Sequence, residues 1–230
     1  MYNLGNGSRL VENSGLYPVA APLVQAGLAT YPMVSSYPYP PDFVDWMRQV
    51  FKEPQPFIDA CVAAAAAHGH KGFNIDWEPT SGATAQDAKD YAAFLSTLAD
   101  GLHAHGLTVS ADVATWSTVW NYTELATSRV DQLVTMSTYT STLDSFKNAL
   151  FDGTTAFGVD KLTVGLMPPE APNAPFSTSK LQTYFALLQA SSVKRISVWR
   201  MPIPQLWWDF MVLFNANSQA EADKLAITGK

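Results

Sequence analysis

Short apolar runs alternate with longer stretches of helical period along most of this chain. Six runs are rich in strand-forming residues: 27–36, 72–78, 106–113, 131–139, 161–167 and 195–201. Between them the pattern predicts helices over 42–52 and 55–68, then 84–104, 123–129, 142–151, 177–191 and 204–215. The clearest is 84–104, where Tyr91, Phe94, Leu95, Leu98 and Leu102 recur at spacings of three and four and form one apolar stripe. Apolar strands that alternate with helices predict an α/β fold with a parallel sheet covered by helices. None of the six reads as an edge strand, which favours a (β/α) barrel over a doubly wound sheet. A complete barrel takes roughly 250 residues, and here the first clear strand begins near residue 27. The six are therefore read as the third to eighth strands of an incomplete (β/α)8 TIM barrel. Residues 1–26 are expected to be an irregular or helical segment and 27–230 the barrel domain. Two missing strands would leave sheet edges exposed.

Composition narrows the classes of function. The chain has 230 residues, 47% hydrophobic and 15% charged, enough for one substantial core. Its net charge of −6 comes with no Lys/Arg cluster, which argues against a nucleic-acid partner or an anionic membrane surface. No apolar run is long enough to insert in a membrane. The one cysteine, Cys61, excludes an internal disulfide and sits where a small buried helix residue belongs. Two N-x-S/T triplets, at Asn6 and Asn121, point to a secreted or lysosomal route through the secretory pathway, although the first residues carry no signal-peptide pattern.

The stretch GFNIDWEP, Gly72 to Pro79, carries the candidate chemistry. In a strand, alternate side chains share a face, so Asn74, Asp76 and Glu78 converge on one side and Phe73, Ile75 and Trp77 on the other. Two carboxyls on one face repel each other. Either that face is solvated or the pair does chemistry.

This stretch resembles the fourth-strand signature of glycoside hydrolase family 18, the chitinases and their relatives, written D-G-x-D-x-D-x-E. Gly72, Asp76 and Glu78 match it; Lys71 stands in place of the first Asp and Asn74 in place of the middle one. An Asn at that middle position is also found in the chitobiase-like branch of the family. The resemblance extends to LTVSADVATWSTVWNYTELA as the fifth strand and its following segment, VDQLVTMSTYT as the sixth, KLTVGLMP as the seventh and ISVWRMPIPQLWW as the eighth, covering residues 27 to 215. The sixth strand departs from the family's Met-x-Tyr-Asp: Tyr139 falls one residue late after Met136, which on a regular strand turns it to the other face unless a bulge restores it.

The resemblance implies a hydrolase of β-linked N-acetylglucosamine, such as chitin oligomers or the chitobiose core of N-glycans. Glu78 would be the general acid at the mouth of the strand. The substrate's own acetamido oxygen would be the nucleophile, this family being an exception to the two-carboxylate rule. Asp76 would orient the acetamido group, and Asn74 would hold Asp76 by a hydrogen bond. Tyr139 is carried over as a further catalytic residue. Trp199, Trp116 and Met136 are candidates for substrate binding, Trp199 as a flat floor for the sugar ring. Trp207 and Trp208 are assigned to packing. No cofactor is implied, and the partner is an oligosaccharide or glycan. His68, His70, His103 and His105 precede the fourth and fifth strands, at the end of a barrel associated with stability, so no metal site is assigned to them. Two rivals are carried: a chitinase-like lectin that binds sugar without cutting it, and a two-glutamate glycosidase in which Glu170 is the nucleophile.

Overall fold

The structure, a computed structural model, describes residues 1–13, 15, 17–140, 142–168, 176–199 and 202–228. The chain divides into two units, Met1–Leu133 and Val134–Lys230.

The first unit opens with an antiparallel hairpin of β1 (Tyr2–Gly5) and β2 (Arg9–Glu12), turned at Gly7 and Ser8, both with positive φ. Helix α1 (Tyr17–Gln25) follows. The N-terminal segment, expected as irregular or helical, thus contributes a strand: β1 lies parallel to β3 (Met33–Ser35). Next come α2 (Phe43–Lys52), α3 (Gln55–His68), β4 (Gly72–Asp76), α4 (Ala85–His103), β5 (Thr108–Val113) and α5 (Tyr122–Ala126). The strand order in this unit is β2-β1-β3-β4-β5, and β1, β3, β4 and β5 run parallel. Register sets Ser35 beside Asp76 and Asn74 beside Ser110.

Local chemistry explains the boundaries. Thr84 caps α4 in a reciprocal capping box with Asp87, and Gly69 ends α3 in the left-handed region. Arg48 of α2 grips the buried Asp87 through Nε at 2.8 Å and Nη2 at 2.9 Å, so one carboxylate both caps α4 and ties it to α2. Phe73, Ile75 and Trp77 are fully buried. Trp77 stacks on Phe94 of α4 at 5.2 Å and meets Phe43 of α2 and Phe57 of α3 edge-on. The apolar side of β4 is therefore anchored by three helices. Cys61 is fully buried on α3, as expected.

Strand β6 (Gln132–Thr135) spans the division between the units. The second unit continues with α6 (Leu143–Lys161), broken at Gly158 where φ is 66°, β7 (Leu162–Leu166), α7 (Thr178–Ala190), β8 (Ile196–Val198) and α8 (Gln205–Thr228). Strand β7 is buried throughout and pairs in parallel with β8. Phe185 of α7 packs on Phe210 and Phe214 of α8. All six expected strands are present, each shorter than its apolar run, whereas α6 and α8 run further than their patterns indicated. Trp207 is buried against Phe176, but Trp208 is 40% exposed, so the packing role holds for the first alone. No helix among the described residues is long and apolar enough to cross a membrane.

Close approach of β4 and β5 depends on Gly72. A Cβ there would lie 2.1 Å from the backbone oxygen of Thr108, an obstacle that cannot rotate away. Gly72→Ala should destabilise the fold by about 3 kcal/mol, the upper range for forced overpacking. In a thermal melt this is a fall in Tm of roughly 6–12 °C; an unchanged Tm would show that the two strands part without cost.

Candidate active site

The carboxyl ends of β3, β4 and β5 bring the site together in the first unit. Parallel pairing aligns the three ends, and the two-residue period of β4 turns Asn74 and Asp76 away from the aromatic layer around Trp77. The end of β3 cradles that of β4. Ser36 donates its backbone N–H to Asp76 O at 3.0 Å, and the backbone N–H of Glu78 donates to Ser36 Oγ at 2.9 Å. Glu78 is half-buried and accepts a hydrogen bond on Oε1 from the Tyr39 hydroxyl at 3.3 Å. Tyr39 has a φ of 60°, a left-handed conformation uncommon for a side chain of its size.

Asp76 is 6% exposed. Its Oδ2 accepts from Ser35 Oγ at a long 3.4 Å, while Oδ1 has no hydrogen-bond partner among the described residues. Burial, then the charges of Asp112 and Glu78, push the Asp76 carboxyl up to about 8. A carboxyl so placed holds its proton at neutral pH.

Asn74 does not hold Asp76, contrary to expectation. Its Nδ2 donates to Ser110 Oγ and to Asp112 Oδ1, both at 3.0 Å. Asp112, on β5, is 8% exposed and was not singled out from the sequence. Burial raises its carboxyl to about 7, against the lowering effect of the Asn74 hydrogen bond. The signal for it was present: in TVSADV, Ser110 and Asp112 alternate with Val109, Ala111 and Val113 as the acids of β4 alternate with its apolar residues. Ser35, Ser36 and Tyr39 were missed too.

Trp116 is 59% exposed just past β5, edge-on to Trp120. The next residue, Ser117, donates through Oγ to Pro79 O at 3.1 Å, which ties the loop of Trp116 to the loop of Glu78. A cleft of about 30 Å³ beside Glu78 is lined by Tyr39, Pro40, Phe43, Pro79 and Thr80, among others. A larger cavity of about 450 Å³, with Arg48, Phe51, Asp87 and Phe94 in its lining, includes none of the site's acids.

Met136, Tyr139 and Trp199 belong to the second unit. Met136 is buried, and Tyr139 closes a turn beyond β6, with its backbone N–H on Met136 O at 2.9 Å. Its ring packs on Gly165 of β7, where a Cβ would meet Tyr139 Cε1 at 2.7 Å. Trp199 follows β8 directly, its N–H on Leu166 O at 2.9 Å, and is 43% exposed. Glu170 lies outside the described residues. The histidines serve the opposite end of the strands: His70 meets the Tyr2 hydroxyl at 3.4 Å and Thr30 Oγ1 at 3.1 Å, and His103 pairs with Asp131 at 3.0 Å.

No protein-family model matches this chain, and neither does any curated protein. Solved structures do. A chitinase from Chromobacterium violaceum superposes with a TM-score of 0.75 at 13% identity, over 93% of this chain and 89% of that one. The spore cortex-lytic enzyme SleL of Bacillus cereus gives 0.76 at 15% identity, over 93% of this chain and 66% of that one. A class V chitinase from Pseudomonas fluorescens gives 0.73 at 15%, over 91% and 88%. At these identities the likeness establishes the fold: α/β, of the (β/α)8-barrel type and incomplete.

The two raised carboxyls leave a mark on stability. Unfolded, Asp76 and Asp112 lose their protons near pH 4; folded, they keep them to about 8 and about 7. Between those limits the folded chain binds more protons than the unfolded one, so stability falls as pH rises. Tm should drop by more than about 10 °C between pH 5 and pH 8.5, and Asp76→Asn should remove much of the drop. Asp87, held low by Arg48, acts with the opposite sign, and its contribution is lost only below about pH 4. A flat profile from pH 5 to 8.5 would contradict the buried, protonated assignment.

Proposed function

We propose that this chain is a glycosidase of the family 18 type that hydrolyses polymers of β-linked N-acetylglucosamine by a substrate-assisted, retaining route. One observation carries the reading: a half-buried Glu78 stands at the mouth of β4 directly above a buried Asp76. An acid that must reach a leaving oxygen needs access, and Glu78 has it. A group that steadies an acetamido function needs a dry, fixed position, and Asp76 has that. The nucleophile is then the acetamido oxygen, which attacks the anomeric carbon as Glu78 protonates the departing oxygen.

The fold neighbours support this choice, since they include chitinases and a spore cortex-lytic enzyme. The finer placement in the chitobiase-like branch rests on Asn74 and the fifth-strand segment, and makes chitin oligomers or the chitobiose core the substrates to try first. Trp116, exposed beside the Glu78 loop, and Trp199 are the aromatic surfaces assigned to the sugar. Tyr139 and Met136 are retained as members of the sixth-strand motif. A secretory destination rests on the sequons at Asn6 and Asn121.

Glu78→Gln should lower hydrolysis of N-acetylglucosamine oligomers by about 10²–10⁴-fold, the range for general acid catalysis, and leave oligomer binding intact. Unchanged hydrolysis would remove Glu78 from the mechanism, and sugar binding without any turnover in the native chain would favour the lectin. Glucosides that lack the acetamido group should resist cleavage; their efficient hydrolysis would point to Glu170.

A further inference from the structure

We propose that Asp112 is a positioning residue of this site: clamped by Asn74, it takes the negative charge of a buried acid pair and leaves the proton on Asp76. The inference rests on the glycosidase reading of Asp76 and Glu78, and adds the group that governs one of them.

The geometry is unequal on the two sides of the pair. Asp112 Oδ1 receives a full hydrogen bond from Asn74 Nδ2 at 3.0 Å, and the same amide nitrogen is fixed by Ser110 Oγ at 3.0 Å. Asp76 has a 3.4 Å contact from Ser35 on one oxygen and no partner on the other, and its carboxyl contact with Glu78 favours the protonated form. An amide donor stabilises a carboxylate far more than the corresponding acid. Of two acids buried to a similar degree, the one with the donor ionises first. Its charge then opposes ionisation of the other.

Asn74 is suited to this task because it donates without carrying charge. An acid in its place would put a third carboxyl beside Asp76 on the face where Asp112 already supplies one. The other ionisable groups acting on the pair within the first unit add to the effect. Glu78 and Tyr39 approach from the loops after β4 and β3, and the fully buried Tyr91 from α4. Glu78, like Asp112, discourages a charge on Asp76. Between the midpoints of the two acids the site therefore holds one charge where two would repel, and Asp76 meets the neutral acetamido group as an acid. Asp112 sets the pH at which that changes.

The test is carboxyl ¹³C NMR titration of the full chain labelled at aspartate, with the Asp76 signal assigned by its loss in Asp76→Asn. In Asp112→Asn the Asp76 midpoint should move to lower pH by about one unit or more. The limb of the kcat/KM pH profile on N-acetylglucosamine oligomers that belongs to Asp76 should move the same way. Asn74→Ala, which removes the clamp and leaves both acids, should raise the Asp112 midpoint by about one unit. A merely structural role for Asp112 would move neither. An Asp76 midpoint that stays in place in folded Asp112→Asn overturns the proposal; if that variant does not fold, an unmoved Asp112 midpoint in Asn74→Ala overturns it. Native protein that cuts no N-acetylglucosamine polymer while the midpoints still move supports the role of Asp112 and overturns the glycosidase reading.

Discussion

The burial of Trp77 is the constraint on which the site depends. Its indole is enclosed by Phe43, Phe57, Tyr91 and Phe94 from three helices. That packing fixes which side of β4 faces the helices, and a slip of one residue would turn every side chain over. With Phe73, Ile75 and Trp77 committed to the aromatic layer, Asn74 and Asp76 have one remaining direction. Parallel pairing with β3 and β5 then sets Ser35 and Ser110 beside them. The hydrophobic effect thus places the acids, although it makes no contact with them.

Placing acids in this way has an electrostatic consequence. Asp76 and Asp112 are both nearly inaccessible, and burial acts first on each of them. The fold answers repulsion with protons rather than with counter-ions: the groups named around the pair are amide, hydroxyl and further acid. Asp87 shows the other solution in the same unit, where a buried carboxylate stays charged because Arg48 and Thr84 supply donors on both oxygens. One arrangement secures structure. The other stores an acid where a substrate would need it.

Much of this was legible in the sequence because it is periodic. The apolar and polar alternation of 72–78 gave the strand, its two faces and the candidate acids, and the spacing of Tyr91, Phe94, Leu95, Leu98 and Leu102 gave α4. What escaped was set by contacts between strands. Asn74 was assigned to Asp76, its neighbour two residues along, but its amide reaches across to β5. Asp112 stands in a run dominated by its hydrophobic content, where its alternation with Ala111 and Val113 is the one local signal. Tyr39 lies in a proline-rich loop without periodicity, so nothing local announces that its hydroxyl reaches Glu78. The N-terminal hairpin had a short-range mark, Asn6-Gly7 between β1 and β2, of the kind that favours tight turns. Chain length alone leaves that segment too short for a strand–helix unit, and a hairpin needs far fewer residues.

The central claim is that Glu78 and Asp76 cut a glycosidic bond with the substrate's own acetamido group as nucleophile. Two inversions at the anomeric carbon, one by the acetamido oxygen and one by water, restore the starting configuration. Proton NMR of the first product formed from a β-linked N-acetylglucosamine oligomer reads this directly, before mutarotation mixes the anomers. The account predicts the β-anomer at the earliest times. An initial α-anomer would mean a single displacement by water, and would contradict it.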